Sequence, residues 1–227
     1  MNQILDLAGE WLFRLDKEKQ GLTSHYEKQT FEDTIQLPTT VSEAHKGTPH
    51  DKTYTGYLTD PYEMSGYSWY QRRLRLPFEN AEQLKGKHFE FTMERTRISY
   101  VWVDGCFVGS FDSFVASHRY DLTPYITNIN PVLTVMVSNT DYKVPGGHLT
   151  SPDTQTNWNG ILGDISLQIS EDVRLGQIRS ECCYEDKNIL LHIPVQFDGS
   201  LPCNARIEVC PVLVRLKADY QKPDCII

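Results

Sequence analysis

Apolar and polar residues alternate with a period of two along much of the first 170 positions, in short runs separated by turn residues. Residues 9–15, Gly-Glu-Trp-Leu-Phe-Arg-Leu, open the series, and residues 33–37 form a shorter second run. Residues 68–77 alternate aromatic or aliphatic side chains with polar ones and stop at Pro77, and residues 88–94 keep the same period. Such alternation sends successive side chains to opposite faces of a pleated strand. Residues 98–103 run into Asp104-Gly105 and resume as Cys106-Phe107-Val108-Gly109. Asp-Gly between two β-rich runs predicts a hairpin, because glycine accepts the positive φ of a two-residue turn. Residues 132–137 and 164–169 complete the block. No long segment has the 3.6-residue period of an amphipathic helix; residues 121–126 predict a single turn with Asp121 as its cap. The expected fold class is all-β, an antiparallel sandwich of the jelly-roll type.

Two stretches depart from this pattern. Residues 37–68 carry Thr, Gly, Pro, His and Tyr with little periodicity, and a loop of this length inside a compact domain is usually functional or disordered. Its tyrosines, Tyr54, Tyr57, Tyr62 and Tyr67, favour the ordered alternative. A second unit begins near Glu171, where residues 173–180, 188–195 and 205–213 predict three more strands. Residues 172–227 are too few for an immunoglobulin-like sandwich of about 100 residues. The expected organisation is a jelly roll over 1–171 and an incomplete second sandwich over 172–227, ending in an irregular tail from Lys217.

Composition narrows the function classes. The 227 residues are 40% hydrophobic and 23% charged, as in ordinary globular domains. A net charge of −8 argues against nucleic acid or an anionic membrane as partner, since phosphate binding needs a basic stripe. No apolar run approaches the roughly 20 residues of a membrane-spanning helix. The opening residues lack the basic and apolar regions of a signal peptide, so none is expected. Localisation stays undetermined, bacterial cytoplasm and periplasm both being compatible with the sequence. The six cysteines form no C-x-x-C pair and are expected as reduced, mostly buried thiols, with a Cys182–Cys203 bridge across neighbouring strands left open. Nucleotide-binding, zinc-protease and serine-hydrolase motifs are absent. The seven histidines are scattered without metal-ligand spacing, so no metal or cofactor is expected.

The candidate chemistry lies in residues 148–166. Ser151, Asp153, Thr154, Gln155, Thr156, Asn157 and Asn159 surround one indole, Trp158, and glycines follow at 160 and 163. Carboxylate and amide groups give directional hydrogen bonds to sugar hydroxyls, and an aromatic face suits the apolar side of a sugar ring. The same mixture also suits a hydrogen-bonded loop that caps a sandwich. Asp153, Asn157 and Trp158 are the candidate substrate-binding residues. Trp11, Trp69 and Trp102 lie on alternating strands and are expected in the core, whereas Trp158 either packs at the rim or faces a ligand. Glycoside hydrolysis needs a pair of carboxyl groups, and none of the glutamates here sits in a motif that marks such a pair.

The ordered set of segments resembles the N-terminal sugar-binding domain of family 2 glycoside hydrolases, the β-galactosidase and β-glucuronidase group. The matching segments are residues 7–13 (Leu-Ala-Gly-Glu-Trp-Leu-Phe), 69–73 (Trp-Tyr-Gln-Arg-Arg) and 101–109 (Val-Trp-Val-Asp-Gly-Cys-Phe-Val-Gly). They continue with 120–125 (Tyr-Asp-Leu-Thr-Pro-Tyr), 133–139 (Leu-Thr-Val-Met-Val-Ser-Asn) and 157–167 (Asn-Trp-Asn-Gly-Ile-Leu-Gly-Asp-Ile-Ser-Leu). The resemblance implies a galactose-binding-like jelly roll, then the opening of an immunoglobulin-like sandwich, with the (β/α)₈ barrel and its two catalytic glutamates missing. It implies a β-glycoside as substrate of the parent enzyme and no catalytic residue in these 227. In related enzymes an aspartate in the loop before the Gly-Ile strand reaches the active site; Asp153 is the nearest match, and Thr154 stands at the usual position counted from Gly160. Thr39 likewise replaces the glycine of a Leu-Pro-Gly-Thr turn. A free-standing carbohydrate-binding module and a structural assembly domain are the alternatives, and a homo-oligomer is left open.

Overall fold

The computed structural model describes residues 3–49, 61–143, 147–150, 157–175, 180–185, 188–192, 197–199 and 225–226. It divides into two compact units, 1–170 and 171–227. In the first, the strands are β1 (Gln3–Asp6), β2 (Gly9–Asp16), β3 (Asp33–Leu37), β4 (Thr39–Thr40), β5 (Thr48–Pro49), β6 (Tyr62–Glu63) and β7 (Tyr67–Arg73). They continue with β8 (Lys87–Met93), β9 (Ile98–Val103), β10 (Cys106–Phe111), β11 (His118–Asp121), β12 (Val132–Ser138), β13 (Gly160–Ile161) and β14 (Ile165–Glu171). A four-stranded sheet has the order β1-β14-β8-β11, and a six-stranded sheet the order β10-β9-β12-β7-β2-β3. The pairings β1–β14 and β8–β11 in the first sheet, and all five in the second, are antiparallel. The all-β sandwich expected from the alternation is what forms.

The core between the sheets is filled by the in-phase residues: Trp11 and Phe13 from β2, Phe89, Phe91 and Met93 from β8, Leu133, Val135 and Val137 from β12, and Ile165, Leu167 and Ile169 from β14. The six-stranded sheet is buried on its outer face as well. Phe31, Tyr67, Trp69, Trp102 and Met136 form a second cluster there, with Tyr26 packed against it. Gly21 is the tightest point of this cover, since a Cβ on it would stand 2.6 Å from the Trp69 ring. Covering both faces explains why Tyr67 to Gln71 are all buried although their side chains alternate. Trp11, Trp69 and Trp102 are core residues, as their strand positions suggest.

The β9–β10 hairpin turns on Asp104 (φ 48°) and Gly105 (φ 77°), matching the Asp-Gly expectation. The turn after β11 also forms: the Asp121 carboxylate accepts from Thr123 N–H at 2.9 Å. β7 ends earlier than its alternation suggests. Leu74 and Leu76 still donate their N–H groups, but to Pro131 and Ile129 carbonyls outside β12. Pro131, just before β12, has no N–H with which to extend the ladder.

The aperiodic 37–68 region is partly regular. β4 pairs with β13 and β5 with β6, and Leu37–Pro38 is a cis peptide. Tyr54 and Tyr57 lie outside the described residues. The second unit contains β15 (Arg174–Leu175) paired with β18 (Phe197–Asp198), and β16 (Glu181–Glu185), β17 (Asn188–His192) and β19 (Cys225–Ile226) in one sheet. β17 and β19 are parallel. The strand expected over 205–213 lies outside the described residues.

The cysteine expectation needs correction. Cys106, Cys182 and Cys183 are free thiols and exposed, not buried. Cys106 sits on β10 at the edge of its sheet. Cys203 falls outside the described residues, so the open question of its bridge to Cys182 has only one visible partner, and that one is free.

Candidate functional site

The polar run of residues 148–159 leads into β13, and β13 is anchored first by a glycine. Gly160 adopts φ +146°, and a Cβ there would stand 2.5 Å from the Thr39 carbonyl oxygen. Only glycine lets the β13 backbone come this close to β4. The register is closed by Thr96 Oγ1 donating to the Gly160 carbonyl at 2.8 Å and by Val41 N–H donating to the Asn159 carbonyl at 2.8 Å.

Three asparagines then tie the loops at this end of the sandwich together. Asn139, at the end of β12, donates Nδ2–H to the carbonyls of Met64 at 2.7 Å and Asn157 at 2.9 Å, while its Oδ1 accepts from Gly66 N–H at 3.0 Å. Asn157 returns the contact by donating Nδ2–H to the Asn139 carbonyl at 3.2 Å, and its Oδ1 accepts from the Tyr142 hydroxyl at 2.5 Å. Asn159 donates to the carbonyls of Gly66 and Val137. Side-chain amides suit this task because each presents donors and an acceptor in one plane. The Asn159 Oδ1 atom is buried without a hydrogen-bond partner among the described residues.

Arg97 completes the arrangement. It lies just before β9 and is 2% exposed. Its Nη1–H donates to the Leu149 carbonyl at 2.8 Å and its Nε–H to the Trp158 carbonyl at 3.2 Å. The guanidinium lies 4.2 Å from the Trp158 ring centroid and 5.2 Å from that of Phe114. Phe114 in turn meets Tyr142 edge to face. No carboxylate pairs with Arg97 among the described residues. Burial pushes its pKa down from the ordinary value, and the neighbouring Tyr142 works in the opposite direction; an arginine still carries its charge at neutral pH.

The neighbouring loop of residues 112–117 is built on a buried histidine. His118 is 1% exposed, with Nε2 at 2.6 Å from the Ser113 carbonyl and Nδ1 at 2.6 Å from Ser99 Oγ. A carbonyl can only accept, so Nε2 carries the proton and Nδ1 accepts from the Ser99 hydroxyl. Tyr120 then donates its own hydroxyl proton to Ser99, whose Oγ lies at 2.7 Å and carbonyl at 3.1 Å. Burial holds the His118 imidazole pKa below its usual value, against opposing contributions from the Ser113 carbonyl and Asp112. At the tip of this loop Val115 is 91% exposed.

The sequence-predicted residues are placed unequally. Asp153 lies outside the described residues. Asn157 is half-buried, and its amide is joined to Tyr142 and Asn139. Trp158 is half-buried with one ring face against Arg97. Sequence reasoning missed Arg97, Asn139, Phe114 and Tyr142. Arg97 had a signal: it continues the row of Ser99, Val101 and Val103, which are buried, so it is a charge in an inward phase. A cavity of about 440 Å³ beside β1 and residues 72–75 shares no lining residue with this loop. Among the described residues no group of three His, Cys, Asp or Glu is placed to hold a metal ion. Among them, too, no helix is long and apolar enough to cross a membrane.

Comparison with known proteins agrees with the all-β fold. A β-galactosidase from Thermoanaerobacter pseudethanolicus is 25% identical over 183 residues, 77% of this chain and 22% of that protein. A β-glucuronidase from an uncultured Clostridium superposes with a TM-score of 0.64 at 19% identity, covering 86% of this chain and 34% of its own. The Ruminococcus gnavus β-glucuronidase gives 0.63 at 15% identity, with 88% and 34% covered. The chain therefore spans about a fifth to a third of the relatives it matches. Residues 4–170 match the profile of the glycosyl hydrolases family 2 sugar binding domain, and with that match across most of its length the chain belongs to glycosyl hydrolases family 2.

Proposed function

We propose that residues 1–170 form one wall of the sugar pocket of a β-galactosidase-like family 2 hydrolase whose catalytic barrel lies outside these 227 residues. The observation that carries this reading is that the Leu149 and Trp158 carbonyls, which flank the polar run in sequence, both accept from the buried Arg97, whose guanidinium stacks on the Trp158 ring. A recognition surface has to be held in this way, because groups that must be ordered on binding lose affinity. Within that wall Asp153 is the group offered to sugar hydroxyls. Asn157 is fixed by Tyr142 and Asn139, and Trp158 offers the sugar the ring face turned away from Arg97. Residues 171–227 are the opening of an immunoglobulin-like sandwich. In the parent enzyme, two glutamates of the barrel cleave the β-glycoside with retention, through a glycosyl-enzyme intermediate.

The test uses a chimera in which residues 1–170 replace the matching segment of the Thermoanaerobacter β-galactosidase. With an aryl β-galactoside, Asp153→Ala in that chimera is expected to raise KM about tenfold, a loss of about 1.4 kcal/mol of binding, with a smaller change in kcat. The isolated chain is expected to give no turnover. Turnover by the chain alone overturns the reading, and sub-millimolar sugar binding by the chain alone points instead to a free-standing binding module.

A further inference from the structure

We propose that Arg97 is a positioning residue that clamps the backbone at Leu149 and Trp158, the two residues flanking the polar run that includes Asp153; this rests on the pocket reading above. Burying a charge without a carboxylate is costly unless other groups compensate. Among the described residues the compensation comes from backbone carbonyls and aromatic rings at this end of the unit. The Leu149 and Trp158 carbonyls accept from one guanidinium. Those two residues stand on either side of the polar run that includes Asp153. One planar fork therefore fixes the separation of the loop's entry and exit. The same guanidinium also meets the rings of Trp158 and of Phe114 from the adjacent 112–117 loop.

The chemistry is specific to arginine. A lysine carries the same charge, but its compact ammonium cannot span two carbonyls in a fixed plane while stacking on an indole. The contact also places one face of Trp158 against the guanidinium, so the ring braces the clamp. The 112–117 loop is drawn into the same assembly, with Phe114 against both Arg97 and Tyr142. Tyr142 donates to Asn157, which closes the circuit back to the loop.

The experiment compares the full 227-residue chain with its Arg97→Lys and Arg97→Met variants by amide hydrogen exchange, and the same changes in the chimera by kinetics. Amides at 147–150 and 157–158 are expected to exchange about tenfold faster in both variants, while those of β7, β9 and β12 stay within about twofold of the parent. KM for the aryl galactoside is expected to rise about tenfold with kcat less affected. Arg97→Lys carries the test if Arg97→Met does not fold. Loop exchange unchanged in Arg97→Lys, or acceleration spread evenly over the core strands, overturns the clamp. An unchanged KM in Arg97→Lys beside a raised KM in Asp153→Ala overturns this inference alone. An unchanged KM in both overturns the pocket reading on which it rests.

Discussion

The space between the sheets and the loop end of the same unit are organised by different forces. Between the sheets, Phe91, Leu133 and Leu167 are fully buried, and burial of apolar surface needs only the right residue class on the right face. At the loop end the buried residues are Arg97, Asn139 and Asn159, each held by directional hydrogen bonds to particular carbonyls. A substitution between the sheets loses contact area and leaves a void. A substitution at the loop end removes hydrogen bonds that particular polar partners depend on. The first region is tolerant of exchange among apolar residues of similar volume; the second is tolerant of very little, because a buried polar group without its partner is penalised.

Phe91→Ala tests the first half of this contrast and should have the largest effect. The ring is fully buried in the inter-sheet core, and its loss should reduce unfolding free energy by about 3–5 kcal/mol in urea titration. Its effect should be global, with no selective loosening of residues 147–158; a selective effect there would break the comparison. Asn139→Ala tests the second half. It leaves Gly66 N–H and the carbonyls of Met64 and Asn157 without these partners, at a cost of about 1–3 kcal/mol. Faster proteolysis or exchange should appear first in the loops around residues 64–66 and 157, whereas uniform loosening would place Asn139 with the ordinary core.

The smallest effect concerns pH and sharpens the boundary between the two regions, because His118 belongs to both. Its folded pKa lies below the unfolded value of about 6.5, so the unfolded chain takes up the proton first. Its contribution to stability is therefore complete above about pH 6.5 and is lost as pH falls below that value. The urea midpoint should decline between pH 7 and pH 5. His118→Gln, which can still donate toward the Ser113 carbonyl, should flatten that slope; a slope that survives the substitution would assign it to other titrating groups.

The same contrast explains what could be read from the amino-acid sequence. The ladders were legible because alternation is local: residues 33–37 and 98–103 coincide with β3 and β9. The hairpin at Asp104-Gly105 and the Asp121 cap were legible for the same reason. The outer cover was not. Residues 17–31 have no strand period, and their place over Trp69 depends on a close approach at Gly21 that only the assembled sheet reveals. Asn139 was visible as the end of a strand, but its partners at Gly66 and Met64 are 73 and 75 positions away. Long-range hydrogen bonds leave no periodic trace. Trp158 stood out by composition, yet composition could not show that a buried cation would occupy one of its faces.

The pairing of β1 with β14 sets Gln3 beside Ile169 and Asp6 beside Ser166. The first and last strands of the family 2 unit are thus hydrogen-bonded neighbours, and the path of the chain through it begins and ends at one seam. A domain built this way behaves as a cassette. A longer chain can take it in or give it up across a gap about one strand spacing wide, roughly 5 Å, without rerouting what lies on either side. The same seam makes the unit's own edge depend on its opening residues, since without β1 the backbone of β14 would face outward as an unpaired template for other strands.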